Sequence, residues 1–471
     1  MNAPQSFSLN GRGPQRIAII GSGIAGNVVA HHLHREHDVT LFESGSHIGG
    51  HTHTHDIEYQ GERHAIDTGF IVFNDRTYPN FIALMDELGV ASQESHMSFS
   101  VRNESSGLEY NGTTLNSLFA QRSNLFRPSF HGMIRDILRF NREAPRLLDS
   151  EVNISLGDYL HFEGYGKPFI RDYLIPMGAA IWSTDPARML AFPARFFIRF
   201  FHNHGMLTVN DRPQWRTIRG GSARYVEKLV APFRDRIRLN SPVVSVRRMK
   251  DGVLVQSRSG GTERFDHVFM ACHSDQALSM LWDATRLERD VLGAIPYQLN
   301  EAVLHTDTRL LPKKRLAWAA WNYHVDGDAV DPVAAASRLQ HGAVAERGAM
   351  LTYNMNILQN LQSKQTFCVT LNRTEAIDPA RIIQRIQYHH PLFTPAGVAA
   401  QARQHEVNGV NRTYFCGAYW RNGFHEDGVV SALNAVQHFK ARLGGMSPVE
   451  GGRIESVRAV TTGAQRSLEF A

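Results

Sequence analysis

Cysteine is scarce: Cys272, Cys368 and Cys416 are the only three in 471 residues, widely spaced and without a C-x-x-C pair. That excludes a disulfide framework and a thiolate metal site, and it fits a reducing compartment. Long apolar runs are missing too. The first, IAII at 17–20, is far too short to cross a bilayer, and the opening MNAPQSFSLNGRGPQ lacks the charged start and apolar stretch of a secretory signal, so the chain reads as cytoplasmic. There is no low-complexity block and no internal repeat. No RNP, helix-turn-helix or zinc-finger spacing is present to carry nucleic acid. No Ser-His-Asp or Cys-His arrangement stands out, and the pair His425-Glu426 lacks the second histidine of H-E-x-x-H.

What remains is an ordinary globular composition with a mildly basic balance, a net charge of +5 whose 50 Lys and Arg are spread along the chain rather than gathered in a tail. A chain of this length outgrows a single core, so two or three domains are expected.

Residues 16–34, RIAIIGSGIAGNVVAHHLH, predict a short buried strand, a glycine turn and a helix. The turn is G-x-G-x-x-G: Gly21 permits the tight bend, Gly23 lets backbone approach a pyrophosphate, and Gly26 lets the helix pack closely on the sheet. The helix start, through Ser22, Ile24 and Ala25, offers N–H groups and a positive dipole end to phosphates. A second strand, DVTLFE at 38–43, ends in Glu43, placed to accept hydrogen bonds from a ribose, with Ser44 beside it. Strand, triplet, helix, strand and terminal acid together predict a dinucleotide site.

The next phrase, GSHIGGHTHT, completes an E-x5-G-G pattern from Glu43 to Gly49 and Gly50. This resembles the flavin-dependent amine oxidase and carotenoid desaturase superfamily. Three later segments resemble it as well: IDTGFIVFNDRTYPNFIALMDELGV at 66–90, RIRLNSPVVSVRR at 236–248, and TYFCGAYWRNGFHEDGVVSALNAV at 413–436. The resemblance implies an α/β fold, with a discontinuous Rossmann-like FAD-binding domain and an inserted α+β substrate domain. It implies that FAD contacts Gly49, Gly50, His51 and Thr52 near the pyrophosphate, the backbone of Val243 at the adenine, and Gly417, Glu426, Asp427 and Gly428 around the helix start that faces the flavin ring. Tyr419, Trp420 and His425 would surround the ring, His425 as a proton shuttle. Two positions depart from the pattern: His51 stands where Arg or Lys is frequent, and Ala418 where an acid is usual. Phosphate and ribityl contacts there must be made differently. Cys416 ends a buried strand, unlike the attachment cysteine of the monoamine oxidases, so FAD is expected to be noncovalent.

In an extended strand His51, His53 and His55 would share one face, but alternate positions lie roughly 6–7 Å apart, too far to converge on one Zn²⁺. No metal site is expected, and the three serve as cofactor contacts or as structural side chains. The turn Gly220-Gly221-Ser222 reads equally as a simple helix start or as a cofactor contact. The FAD-binding domain is expected from 14–100, 210–290 and 405–445, the substrate domain from 101–209 and 291–404, and a mobile tail at 446–471. YLIPMGAAIWSTDP, AWAAWNYH and LTYNMNILQNL in the inserted pieces suit an apolar pocket or plain core. LFRPSFHGMIRDILRF at 125–140 and ARFFIRFFHNHGML at 194–207 mix Phe, Ile and Leu with Arg, as interfacial helices do, so peripheral contact at the inner face of a membrane enters as an expectation.

The phrases NEAVLHTD, TYNMN, FCVTLN and CGAYWRNGFHEDG look like a bacterial branch of FAD-dependent oxidoreductases associated with cyclopropane-fatty-acid-synthase-like enzymes. That resemblance implies oxidation or desaturation of an apolar substrate, a lipid acyl chain, with an electron acceptor it does not specify. The alternatives are an amine oxidase releasing hydrogen peroxide and a noncatalytic lipid-binding module.

Overall fold

The computed structural model describes residues 13–208, 210–326 and 348–444; the expected tail at 446–471 lies outside the described residues. Five parallel strands among them form a sheet in the order Ile237–Arg238, Asp38–Phe42, Arg16–Ile20, His267–Met270, Thr413–Phe415. Its centre is nearly all aliphatic or aromatic, as a sheet covered on both faces requires. Helices Ile24–Leu33, Ala223–Val230 and His425–Leu443 pack on one face, around Ile17, Ile19, Val28, Leu41 and Phe269. The other face, Ala18, Ile20, Val268 and Met270, packs on an antiparallel meander of Val243–Met249, Gly252–Ser257 and Gly261–Phe265 and on helices Ser274–Met280 and Arg286–Leu292. This is the mixed α/β, Rossmann-like arrangement that the fingerprint predicts.

A second sheet has seven strands, in the order Ile382–Pro391, Tyr297–His305, Cys368–Leu371, Leu351–Asn354, Trp321–Val325, Phe99–Asn103, Leu108–Asn111. All its joins are antiparallel except that of Trp321–Val325 with Phe99–Asn103. The chain between 128 and 207 folds as helices against it, with Phe169, Ile175, Trp182, Phe197 and Phe201 in their shared core.

One expectation fails here. Helix Ala194–Asn203 is not interfacial: Phe197, Ile198, Phe200 and Phe201 are buried, and of its arginines only Arg199 is fully exposed. Arg199 faces solvent, while the half-buried Arg195 donates to the Leu148 carbonyl at 3.3 Å and pairs with Glu151, as on a packing helix. Helix Pro128–Glu143 is different, for Leu138 on it and Leu125 and Phe126 just before it are exposed. Among the described residues, no helix is long and apolar enough to cross a membrane.

Candidate functional site

Because the five strands run parallel, their C-terminal ends share one edge, where open α/β sheets place their ligands. Gly21, Glu43, Cys272 and Gly417 all follow strands at this edge. Gly21 has φ +104°, and a Cβ there would stand 2.6 Å from the Ala271 carbonyl oxygen. A Cβ on Gly26 would stand 1.9 Å from the Gly21 carbonyl oxygen, so only hydrogen fits where helix meets turn. Gly23 is the opposite case: nothing lies within 4 Å of the position its Cβ would take. It caps helix Ile24–Leu33, and neither a side-chain cap nor a first-turn acid occupies that helix start.

The paired glycines come back to this ledge. Gly49 donates its N–H to the Ser22 carbonyl (3.0 Å) and forms an isolated bridge with Gly23, while a Cβ on Gly50 would sit 3.1 Å from Gly23 Cα. Two glycine segments thus make a cradle of backbone alone, open over Gly23. The Glu43 carboxylate is fixed at its side: Oε2 accepts from the Ser22 N–H (2.9 Å) and Oγ (2.6 Å), and Oε1 from the Gly45 N–H (2.7 Å) and Ser44 Oγ (3.3 Å). The Ser241 N–H donates to the Glu43 carbonyl at 2.8 Å, which brings Pro242 and the half-buried Val243 alongside.

The histidines do not share one face. Gly49 and Gly50, both at positive φ, turn the chain, and regular strand begins only at Thr54. His51 therefore goes one way, its ring stacked on Tyr388 (4.9 Å) near His390 (5.4 Å) and His273 (6.0 Å). His53 goes another, between His47 and His55 at 4.1 Å from each. His53 and His55 thus stay together beside His47, and His51 stands apart from them. Burial, with His273 beside it, lowers the His51 pKa to about 3; burial also lowers His273 to about 4 and His390 to about 3, so these imidazoles are neutral. His51 Nε2 is buried with no hydrogen-bond partner. The open ledge, the uncapped helix start and this orphaned nitrogen fit a bound dinucleotide.

Several expected contacts have other work. His425 Nε2 is engaged: it lies 2.7 Å from Tyr225 Oη and 3.0 Å from Thr52 Oγ1, and the ring stacks on Phe70 at 3.6 Å. Burial drives its pKa well below the usual imidazole value. Through Nε2 His425 props the core, and the Thr52 hydroxyl, spent on the same network (2.6 Å to Tyr225), points into the core rather than toward phosphate. Gly428 serves helix packing, since its Cβ would stand 2.6 Å from Ile24 Cγ2. The Glu426 carboxylate accepts from the N–H of Asn80 and Phe81, at 3.1 and 2.9 Å, and from Asn80 Nδ2 at 2.6 Å. Asp427 caps its own helix through the Phe424 N–H (2.9 Å), its pKa raised by burial to about 6. Their side chains hold the helix start, leaving its backbone to face the edge. Tyr419 and Trp420 are both 3% exposed and pack with Phe415 and Ala400 in the core under the sheet; a Cβ on Gly417 would strike the Tyr419 ring at 2.5 Å.

Sequence reasoning missed the residues that join these parts. Asp67, fully buried with its pKa raised by burial to about 6, accepts from Thr54 Oγ1 (2.5 Å), Ser222 Oγ (2.7 Å), the Ser222 N–H (2.9 Å) and Gln359 Nε2 (2.9 Å). The turn at 220–222 is a structural helix start: Thr54 Oγ1 accepts from the Ala223 N–H at 2.8 Å, capping helix Ala223–Val230 from another strand. The D-x-G segment carried a signal for Asp67, but its partners lie 155 and 292 residues away.

A model of the flavin containing amine oxidoreductases matches residues 24–335, most of the chain, and the chain belongs to that family. It is an FAD-dependent oxidoreductase acting on a small-molecule substrate. No curated protein matches it in sequence. Among solved structures it is similar to a CLA-producing fatty acid isomerase from P. acnes (TM-score 0.62, 15% identity, 90% of this chain and 98% of that one). It is equally similar to cyclohexylamine oxidase from Brevibacterium oxydans IH-35A (TM-score 0.62, 16% identity, 92% and 99%). Putrescine oxidase bound to putrescine follows (TM-score 0.59, 14% identity, 91% and 99%). At such identities the likeness is one of fold.

Proposed function

We propose that this flavoenzyme oxidises or desaturates an apolar substrate, a lipid acyl chain, held between the glycine cradle and the seven-stranded sheet with its helices. The observation that carries the reading is an aromatic wall facing the loop Arg421–Phe424. Phe424 packs against both the core under helix His425–Leu443 and the core of the helical region. Beside it the rings of Phe200 (5.1 Å from Phe424) and Trp182 (4.8 Å from Phe200) continue the wall, and Phe196 stacks on Phe393 at 5.0 Å. The Trp182 indole N–H donates to the Asn422 carbonyl at 3.3 Å, fixing the ring to the loop. The strand before Phe393 carries the neutral imidazole of His390 and the Tyr388 ring. A lining of aromatic rings and neutral imidazoles suits a hydrocarbon chain.

Bound FAD supplies the acceptor for a hydride or electron pair. In this reading Gly21 to Gly26 with Gly49 and Gly50 hold its phosphates, Glu43 its ribose, Val243 its adenine by backbone, and the N–H groups at the start of helix His425–Leu443 the ring. His51 Nε2, unpartnered on a neutral ring, is available for a hydrogen bond beside them. The aromatic wall orients the chain and excludes water. The acyl-chain reading also draws on the resemblance to oxidoreductases associated with cyclopropane-fatty-acid-synthase-like enzymes, and it brings the enzyme to the inner face of a membrane. The test is anaerobic mixing of FAD-loaded protein with bacterial lipid extract and, separately, with a panel of amines. Bleaching of the flavin absorption by lipid alone is expected. Bleaching by amines alone, with peroxide on admitting oxygen, would replace this reading with amine oxidation.

A further inference from the structure

Two segments distant in sequence meet on the surface with the same chemistry. The first holds helix Leu115–Leu118 and the turn Arg122–Phe126; Phe126 is 87% exposed and Leu115 78%, apolar tips that no described side chain covers. Arg122 ties them together, donating to the carbonyls of Phe119 (2.9 Å) and Asn116 (3.3 Å) and to Asn116 Oδ1 (2.7 Å). The second is Lys313-Lys314-Arg315-Leu316, all four exposed, whose turn Arg315–Ala317 packs on helix Leu115–Leu118.

Charge within the two segments has one sign: residues 112–127 and 308–318 carry Arg122, Arg127, Arg309, Lys313, Lys314 and Arg315 and no acid. From Gly112 to Arg142 the sequence has five arginines and a single acid, Asp136. Asp136 is buried, accepting from the Gly166 N–H at 2.9 Å. The acid nearest the lysines, Glu109, is also turned inward, accepting the backbone N–H groups of Lys313 and Lys314 at 2.9 and 3.0 Å. Isolated apolar tips within a cationic surround match the acyl boundary and headgroups of an anionic bilayer. Two copies meeting here would oppose like charges, which disfavours self-association.

We propose that this face, with Leu115 and Phe126 as its inserting tips and Arg122, Lys313, Lys314 and Arg315 as its headgroup contacts, docks the enzyme on anionic lipid. The proposal deepens the reading of a membrane-derived acyl substrate, but its test needs no turnover, so the two fail separately.

The experiment is co-sedimentation of the full-length FAD-loaded enzyme with vesicles of phosphatidylcholine alone or with phosphatidylglycerol added. Binding is expected on the anionic vesicles, weak on the neutral ones, and weakened by added salt. The double variant Leu115→Ser/Phe126→Ser and the charge variant Lys313→Glu/Lys314→Glu should each lose about tenfold or more of this partitioning. Their flavin spectra and melting temperatures should not change, since these side chains are exposed. Wild-type enzyme that stays in solution, binds both vesicles equally, or binds no better than the variants overturns the proposal. So does an apolar variant that instead dissociates an oligomer, or one that loses only an acidic protein partner.

Discussion

Gln359 and Asp67 clasp each other at two points: the Gln359 amide donates to Asp67 Oδ2 at 2.9 Å, and Gln359 Oε1 accepts the Asp67 N–H at 2.9 Å. This pair joins the end of strand Glu62–Asp67, the hairpin partner of the strand that leaves the paired glycines, to the stretch that follows strand Leu351–Asn354 of the large sheet. Replacing Gln359 with Ala strands two buried Asp67 groups, and a loss of about 1–3 kcal/mol is expected, read by denaturant unfolding of the FAD-free protein.

Asp67 also gives stability a pH dependence of definite sign. Burial raises its folded pKa to about 6, above the unfolded value of about 3.9, so the folded chain holds this proton more tightly. Its contribution is present in full below about pH 4 and is lost as pH rises through about 6. The melting temperature of wild type minus that of Asp67→Asn should therefore be more positive at pH 4 than at pH 7. A signed difference that rises with pH contradicts the assignment.

The glycines of the fingerprint should separate binding from folding. A methyl on Gly23 meets no protein atom, whereas one on Gly26 meets the Gly21 carbonyl at 1.9 Å. Gly23→Ala is expected to fold with an unchanged apo melting temperature and to bind FAD weakly, measured by flavin fluorescence titration. Gly26→Ala is expected to yield little folded protein.

His425, neutral and held by Thr52 and Tyr225, should act on position rather than protons. His425→Leu leaves Thr52 and Tyr225 bonded only to each other, with one buried O–H lacking its imidazole partner, a cost of about 1–3 kcal/mol. The pH profile of flavin reduction should keep its wild-type shape in that variant and in His425→Gln. A limb that disappears with the imidazole would restore the shuttle.

Cys416 is fully buried, and burial pushes its thiol pKa up, away from the thiolate. Acid precipitation of holoenzyme should release all flavin into the supernatant, and Cys416→Ser should retain wild-type flavin content. Flavin that stays with the pellet would show covalent attachment.

The fingerprint was legible because its parts lie within thirty or so residues of chain and its glycines answer to local sterics. The same locality explains what could be read of the strand to Glu43. The histidine triad was misplaced because alternation assumed a strand, while Gly49 and Gly50 bend the chain before one begins. Helix Ala194–Asn203 looked interfacial because composition does not show which side its arginines occupy. The part taken by His425 was invisible for another reason: Thr52 and Tyr225 stand 373 and 200 residues from it, and only the finished fold introduces them.

Strand Thr413–Phe415 and helix His425–Leu443 close the parallel sheet, yet the glycine ledge that they complete is laid down by residue 26. On the ribosome the ledge emerges first and its far wall last. At about 5–20 residues per second the interval is on the order of tens of seconds, during which strand Arg16–Ile20 lacks its neighbour His267–Met270 for much of the time. If the proposed FAD contacts hold, flavin loading waits until helix His425–Leu443 has been made, and polypeptides cut short before His425 should be beyond rescue by added cofactor.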